Sequence, residues 1–314
     1  MSGLRDFLSW EGRPLLDWLT DNKIPVGDAA EAGFDWLQSN GAWFFDAVAI
    51  LLEHMIDAIL AFLQEPPNTG WIWDVARNEE VYLYPPDLHP LLIIALFTFV
   101  TWLIQRGWKI PLTIALGFLF ILNQDYWEET TESLTLVLSA CVVCMGVGVP
   151  IGIAAAHRPR LYALMRPVLD LMQTLPTFVY LIPAIVFFGI GMVPGLIATV
   201  IFVLPAPIRL THLGISNTPK ALLEASQAFG ATPRQTLWKI ELPYALPQIM
   251  AGLNQTIMLS LSMVVIAALV GASGLGVPVV RALNSVNTGL GFESGLIIVV
   301  VAIMLDRMLR VNND

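Results

Sequence analysis

Long apolar segments alternate with short polar ones along the chain, and many of the apolar segments have the length needed to cross a membrane. A spanning helix takes roughly 20 mostly apolar residues. The pattern predicts seven spans, at 88–103, 110–122, 134–156, 169–190, 193–208, 249–270 and 295–308. The second of these is the shortest. We therefore expect an all-α, polytopic membrane protein with about seven spanning helices.

A further apolar stretch, residues 43–63, precedes these spans and carries three acidic residues on one helical stripe. Asp46, Glu53 and Asp57 are spaced at i, i+7 and i+11. A carboxylate at the centre of a bilayer costs roughly 2.5 to 3.5 kcal/mol on insertion scales. This stretch is therefore predicted to form an amphipathic helix that lies along the membrane interface. An eighth span with poorly tolerated acids is the alternative.

The acidity of the chain is concentrated in the same region. The net charge is −9, and 15 of the 25 Asp and Glu residues precede the first predicted span. We therefore divide the chain into an acidic N-terminal extension, residues 1–87, and a transmembrane domain, residues 88–314. With 56% hydrophobic and 13% charged residues and a mean hydropathy of +0.69, the composition excludes an ordinary soluble domain. Membrane lipids are expected partners, and nucleic acid is not.

Basic residues predict how the spans are oriented. With seven spans and the N-terminus outside, only Arg281 falls in a short outer loop, whereas eleven Lys and Arg residues fall in cytoplasmic segments. These eleven are Arg106, Lys109, Arg158, Arg160, Arg166, Arg209, Lys220, Arg234, Lys239, Arg307 and Arg310. This positive-inside bias predicts a periplasmic N-terminus and a cytoplasmic C-terminus.

A polar cytoplasmic loop, residues 216–247, separates the fifth and sixth predicted spans and has the signals of two short helices. Thr218 is the expected cap of the first helix, and Gly230 has the position of a left-handed C-cap. Thr232 and Gln235 have the spacing of a capping box that starts the second helix. An ordinary amphipathic connector is the alternative. Leu222, Ala225, Ser226 and Phe229 form one face of small and apolar groups.

The chain has no recognisable catalytic apparatus. It has no G-x-x-x-x-G-K-[ST] phosphate loop, no nucleophile with a base, and no His or Cys cluster at metal-binding spacing. Cys141 and Cys144 share a helical face, but a soft metal would need further ligands, so apolar packing is the expected role. The protein is therefore predicted not to be an enzyme and to have no metal site.

Seven residues of the polar loop match a known motif. They fit E-A-A-x3-G-x9-I-x-L-P, the EAA motif of ABC importer permeases, with Ser in place of the third small residue. The matching residues are Glu224, Ala225, Ser226, Gly230, Ile240, Leu242 and Pro243. Beyond this motif, residues 172–183 (MQTLPTFVYLIP), 188–195 and 251–267 resemble the permeases of glycine betaine and proline betaine importers. The resemblance covers about 88–310, and the acidic extension is also similar to that of the family.

This resemblance implies a type I ABC importer transmembrane domain, in which the EAA loop is the coupling loop. The family works as a homodimer of permeases, each with its coupling loop in a groove of a cytoplasmic ATPase subunit dimer. ATP and Mg would then be bound by the ATPase and no cofactor by this chain. Glu224 is expected to face a basic group of the ATPase, and Gly230 to provide the bend. A separate periplasmic or lipid-anchored binding protein is expected to deliver the solute.

Polar residues within two predicted spans are candidates for the translocation pathway. Asp170, Gln173 and Thr174 belong to the fourth span, although Asp170 could instead pair with Arg166 at the interface. The sixth span is unusually polar, and its side chains either face an aqueous path or form hydrogen bonds across helices. The candidates in the sixth span are Asn254, Gln255, Ser260 and Ser262.

The function implied by the resemblance is transport of a compact osmolyte across a bacterial inner membrane. Glycine betaine, proline betaine, choline and related quaternary or tertiary ammonium compounds are the expected solutes. Permeases for histidine or trimethylamine N-oxide are alternatives within the same family. An alternative of another class is a gated channel that works without ATP.

Overall fold

The computed structural model describes residues 25–64, 71–74, 79–82 and 89–309. The chain divides into two units, Met1–Phe44 and Phe45–Asp314. Helices dominate the described part. They are α1 Val26–Gln64, α2 His89–Gln105, α3 Lys109–Asn123, α4 Trp127–His157, α5 Pro159–Thr174, α6 Leu181–Phe188, α7 Met192–Val203, α8 Pro205–Ser216, α9 Lys220–Ala228, α10 Pro233–Thr236, α11 Leu242–Ala268, α12 Gly276–Ser285 and α13 Thr288–Leu309.

Each of the seven predicted spans coincides with apolar helix. Four helical stretches in the described residues are long and apolar enough to cross a membrane, namely Trp127–His157, Met192–Ser216, Pro233–Ala268 and Thr288–Met308. A fifth span is formed if the bent pair Pro159–Thr174 and Thr177–Phe188 counts as one. The first two predicted spans correspond to the shorter apolar helices α2 and α3. The all-α membrane fold is thus confirmed.

One short hairpin was not predicted. Strand β1, Trp71–Asp74, pairs antiparallel with β2, Glu79–Tyr82, in a two-stranded sheet. Both strands contain the aromatic and β-branched residues that favour extended structure. The hairpin lies before the predicted transmembrane domain and leaves the helical class of that domain unchanged.

The fourth predicted span is broken rather than continuous. Its two helical parts are bent relative to each other by 106°. The break falls at Leu175 and Pro176, which are both extended, because proline disfavours helical backbone in the residue before it. The Tyr180 hydroxyl donates a 2.6 Å hydrogen bond to the Met172 carbonyl, one of the groups that the break leaves without a helical donor. Pro183 lies in the first turn of α6, where a missing N–H is tolerated.

Helices α4, α8 and α11 approach one another closely because glycine lies at their contacts. A methyl group added at Gly152 of α4 would lie 2.7 Å from the Ile208 carbonyl oxygen of α8. One added at Gly214 of α8 would lie 2.9 Å from the Ala245 side chain of α11. Since these distances are too short for a side chain, the three helices form a tightly packed body. The coupling loop joins two of them, α8 and α11.

The C-terminal part of α1, from Phe45 onwards, packs on the bundle with one side. Leu52 and Ile56 are buried in a cluster with Ala140 and Leu196. At the end of α1, Gln64 Nε2 donates a 2.8 Å hydrogen bond to the Thr131 hydroxyl of α4. The three carboxylates at positions 46, 53 and 57 are exposed on the other side. An interfacial position of this helix, and the domain boundary at residue 87, stay predictions.

Candidate coupling site and transport pathway

The first helix of the coupling loop, α9, begins without the side-chain cap expected at Thr218. Its N-cap is Pro219, and no side chain bonds the free N–H groups of the first turn. Thr218 is buried, and its hydroxyl has no hydrogen-bond partner within the described residues. The Thr218 prediction is therefore wrong. The helix begins one residue later than a Thr218 cap requires, which leaves this side chain outside capping reach.

The end of α9 has the predicted glycine geometry. Gly230 has φ +75°, in the left-handed region that favours glycine. The Ala231 N–H donates to the Ser226 carbonyl at 3.0 Å, and the Gly230 N–H donates to the Gln227 carbonyl at 2.9 Å. These two bonds form a Schellman motif, which satisfies carbonyls that the helix end would leave free.

The second helix of the coupling loop begins at the predicted capping box. The Thr232 N–H donates to Gln235 Oε1 at 2.9 Å, and the Gln235 N–H donates to the Thr232 hydroxyl at 3.4 Å. After α10 the backbone widens into a π-helical turn, Leu237–Glu241, before α11 begins. Pro243 accounts for the location of the π-helical turn. It has no N–H, so the carbonyl four residues earlier cannot receive the usual α-helical hydrogen bond.

The Ser226 side chain joins the two helices of the coupling loop. Ser226 is 5% exposed, and its hydroxyl donates to the Leu223 carbonyl at 2.8 Å. The same oxygen lies 3.1 Å from the Thr236 hydroxyl. Serine at the third motif position therefore adds an interhelical bond that alanine could not form. Around it, Glu224, Ala225 and Phe229 are exposed, and Phe229 is 92% exposed.

The remaining motif residues lie where the loop joins the bundle. Ile240 and Leu242 are partly buried, whereas Pro243 is exposed. Leu242 packs against a cluster of buried residues from α8 and α11, represented by Ile215 and Ala245. The motif therefore has two parts. Glu224, Ala225 and Gly230 form an exposed part, and the motif residues after position 236 form an anchoring part that attaches the loop to the bundle.

Glu241, which the motif leaves unspecified, has a contact that the sequence reasoning missed. It is 7% exposed, and its Oε2 atom lies 2.9 Å from His157 Nε2 at the end of α4. The available signal was an acidic residue between two apolar ones, Ile240 and Leu242, in a segment expected to pack. Its partner could not be read from spacing, since 84 residues separate the pair.

The candidates of the fourth span lie near α8. Asp170 is exposed, and its Oδ1 atom accepts a 2.7 Å hydrogen bond from Arg209 Nη2. Asp170 therefore pairs with Arg209 and not with Arg166, the alternative considered from the sequence. Helix α5 packs beside α8, which places the Asp170 and Arg209 side chains opposite each other. Gln173 is partly buried, and the exposed Thr174 bonds to the Leu171 carbonyl of its own helix.

Some polar residues of α11 are packed within the bundle, and others are exposed. Asn254 Nδ2 donates to Asp306 Oδ1 of α13 at 3.3 Å, which is a bond across helices. Ser260 is fully buried, and its hydroxyl has no bond partner in the described part of the chain. Gln255 and Ser262 are exposed on a stripe that also includes Gln248. A hydrogen bond across helices is thus present at Asn254, whereas an aqueous path beside Gln255 and Ser262 stays a prediction.

Among the described residues, no group of three or more His, Cys, Asp or Glu side chains could hold a metal ion. Cys141 and Cys144 are both buried in α4 as free cysteines. Their surroundings are apolar, since Cys141 belongs to the main hydrophobic cluster.

Several apolar spans, a broken span beside them and a rigid polar loop that projects from two closely packed helices together define the membrane component of a transporter. The chain belongs to the family described as binding-protein-dependent transport system inner membrane component, whose model matches residues 148–312. The matched region runs from the second half of α4 through α13 and includes the whole coupling loop.

Curated relatives match over most of the chain. The glycine betaine transport system permease protein OpuAB of Bacillus subtilis is 44% identical, covering 91% of this chain and 93% of its own length. The glycine betaine/carnitine transport permease protein GbuB of Listeria monocytogenes is 43% identical over 86% of this chain and 89% of its own. The glycine betaine/proline betaine permease ProW of Escherichia coli is 38% identical over 94% and 77%.

Solved structures agree on the fold. Two crystal forms of the MetNI methionine ABC transporter, described as inward facing, contain a chain that superimposes with TM-scores of 0.51 and 0.53. The matched regions cover 57% and 59% of this chain and 92% and 94% of the other, at 23% and 22% identity. This likeness shows a shared transmembrane fold.

Proposed function

We propose that this chain is the permease subunit of an ABC importer for glycine betaine or a closely similar quaternary ammonium osmolyte. The observation that carries the proposal is the coupling loop. Its two short helices are capped at Gly230 and Thr232 and joined through Ser226, so the loop is rigid. Glu224, Ala225 and Phe229 nevertheless remain exposed.

Such a loop fits the groove of a cytoplasmic ATPase subunit. The small Ala225 side chain permits close approach, and the exposed Phe229 ring is a large apolar surface for a partner to cover. Glu224 can pair with a basic group at the same contact. ATP and Mg are then bound by the ATPase dimer, and its closure moves the coupling loop as a rigid body.

The exposed polar stripe on α11 supports a pathway shared with a second copy of the permease. Gln248, Gln255 and Ser262 are spaced by seven residues and are exposed in the single chain. Amides facing lipid would be costly within a membrane, so this stripe favours contact with water or with a second subunit. Alternating access between two such copies moves the solute.

Orientation and partners follow from the charge pattern and the relatives. Eleven basic residues on one side favour a periplasmic N-terminus and a cytoplasmic C-terminus in a bacterial inner membrane. Relatives named for glycine betaine, carnitine and trimethylamine N-oxide share compact ammonium or amine oxide solutes. A separate periplasmic or lipid-anchored binding protein selects among such solutes. Aromatic side chains of that binding protein attract the cation.

The test is uptake into proteoliposomes that contain the permease, its ATPase and its binding protein. We expect radiolabelled glycine betaine to accumulate only with hydrolysable ATP and to be displaced by proline betaine more strongly than by histidine. Accumulation that favours histidine or trimethylamine N-oxide would overturn the proposed solute. Rapid flux without ATP would overturn the importer mechanism and indicate a channel.

A further inference from the structure

The contact between His157 and Glu241 is an ionisable pair at the base of the coupling loop. The His157 Nε2 atom lies 2.9 Å from Glu241 Oε2, and its Nδ1 atom lies 2.9 Å from the Ile153 carbonyl oxygen. A carbonyl oxygen only accepts, so Nδ1 is a donor. With the carboxyl group ionised, Nε2 must donate as well. The contact is then a charge-assisted hydrogen bond from a ring N–H to the carboxylate.

The two partners differ in exposure. The Glu241 side chain is only 10% exposed, whereas that of His157 is 46% exposed. A buried carboxylate is costly without a partner, so Glu241 depends on His157 more than the reverse. The pair therefore couples the position of Glu241 to that of the end of α4, and this coupling acts in both directions.

The backbone explains why Glu241 reaches His157. Glu241 is the last residue of the π-helical turn Leu237–Glu241, and α11 starts directly after it. Wide turns of this kind are frequent at functional sites, since the extra residue changes the direction of the side chains around it. Pro243 keeps the wide turn at this position. The anchoring part of the EAA motif thus places Glu241 towards α4.

The other partner lies at a corner of the chain. His157 is the last residue of α4, Arg158 follows with φ −132° and ψ 84°, and α5 starts at Pro159. Helix α5 is the first part of the broken span, which is bent by 106°. A displacement of the α4–α5 corner, defined as residues 157–159, would therefore be passed to the broken span.

We propose that Glu241 and His157 are positioning residues that transmit movement of the coupling loop to the α4–α5 corner and so to the broken span. This role rests on the proposed function, because the loop must be moved by an ATPase. The chain already connects the coupling loop to α8 and α11. The pair supplies a polar link to the end of α4, in addition to the apolar packing of α4 with α8 and α11.

A purely structural role makes a different prediction. If the pair only stabilised the fold, its loss would lower the amount of assembled complex, and uptake and ATP hydrolysis would fall together. If it transmits movement, hydrolysis by the assembled complex continues while less solute is moved for each ATP. The ratio of solute transported to ATP hydrolysed therefore separates the two roles.

The experiment measures this ratio in proteoliposomes with the complete importer and radiolabelled glycine betaine. Glu241→Gln and His157→Gln are expected to lower it at least about five-fold, the lower end of typical coupling between sites. His157→Lys, which keeps a cation, is expected to restore most of the wild-type ratio. His54→Gln is the matched control, since His54 Nδ1 also contacts the carbonyl four residues earlier, at 2.7 Å, and is exposed.

Each outcome either supports or overturns the proposed role of the pair. Wild-type ratios in both glutamine variants would overturn the proposal, as would equal ratios in His157→Gln and His157→Lys. If Glu241→Gln prevents assembly, the His157 variants decide, because that side chain is nearly half exposed and tolerates replacement. Loss of assembly in His157→Gln would indicate a structural role and overturn the proposal. A wild-type complex without ATP-dependent uptake would instead overturn the proposed function, and the role of the pair with it.

Discussion

The hydroxyl oxygens of Ser226 and Thr236 lie 3.1 Å apart, which joins the first helix of the coupling loop to the second. Ten residues separate the two along the chain, and the glycine turn between them brings the hydroxyls together. This bond adds to the glycine turn and the capping box in holding the two helices together.

Replacing Ser226 tests how much of this rigidity is needed. Ser226→Ala removes the bond at a cost of about 1 kcal/mol and restores the small residue of the motif, so we expect near-normal uptake. Ser226→Leu overfills a position that is 5% exposed, and overpacking costs about 1 to 3 kcal/mol. We expect that variant to lose uptake and to be cleaved faster by protease within the loop. Equal uptake by the two variants would show that a small side chain is not needed at this position.

Gly230 isolates the effect of backbone conformation. A Cβ atom added there would have no atom of this chain within 4 Å, so the strain within the permease comes from φ +75°. Gly230→Val is expected to abolish uptake while insertion is kept, because a β-branched residue in the left-handed region costs about 1 to 2 kcal/mol or more. Gly230→Asn, which tolerates this region, should keep most of the activity. Normal uptake in the valine variant would argue against the bend.

Phe229 tests the contact with the ATPase. The side chain is 92% exposed, so Phe229→Ala should leave the melting temperature of the isolated permease unchanged. Burial of a Phe side chain contributes about 1.5 to 3 kcal/mol, which predicts roughly ten- to hundred-fold weaker ATPase binding. Phe292→Ala is the control, since Phe292 is 75% exposed and lies near the start of α13, away from the coupling loop. Similar losses of affinity in both variants would contradict a specific role for Phe229.

Neighbouring residues of α11 should separate transport from stability. Gln255→Leu replaces an exposed polar side chain of the proposed pathway, so we expect slower uptake. Because this side chain is exposed, we expect little change in melting temperature. Asn254→Leu removes a hydrogen bond to Asp306 between two partly buried side chains, and such a bond contributes about 0.5 to 1.5 kcal/mol. We expect that variant to melt at a lower temperature. The assignment of Gln255 to the pathway would be wrong if its replacement left the uptake rate unchanged.

Two deletions test the N-terminal helix. Removal of residues 2–44 takes away only the first unit and should leave ATPase association and stability intact. Removal of residues 2–64 also takes away the buried side chains of Leu52, Ile56 and Leu63, at about 1.5 to 3 kcal/mol each. We expect the longer deletion to lower the melting temperature measured in detergent. Equal stability of the two truncated chains would mean that residues 45–64 of α1 contribute nothing to the bundle.

The sequence by itself determined the apolar spans and the local geometry of the coupling loop. Span length depends on hydropathy alone, and the capping box at Thr232 and the turn at Gly230 use hydrogen bonds between residues that are close along the chain. The break near Pro176 also has a local cause, since proline acts on its own turn and on the residue before it. Local interactions of this kind can be read from spacing.

Only the tertiary structure decided which distant groups meet. Asp170 pairs with Arg209 and Glu241 with His157, at separations of 39 and 84 residues. These pairs depend on how each helix is rotated about its axis and on how closely glycines let α4, α8 and α11 approach, which spacing does not specify. The failure of Thr218 as a cap has a related cause, because the exact start of a helix depends on the packing around it.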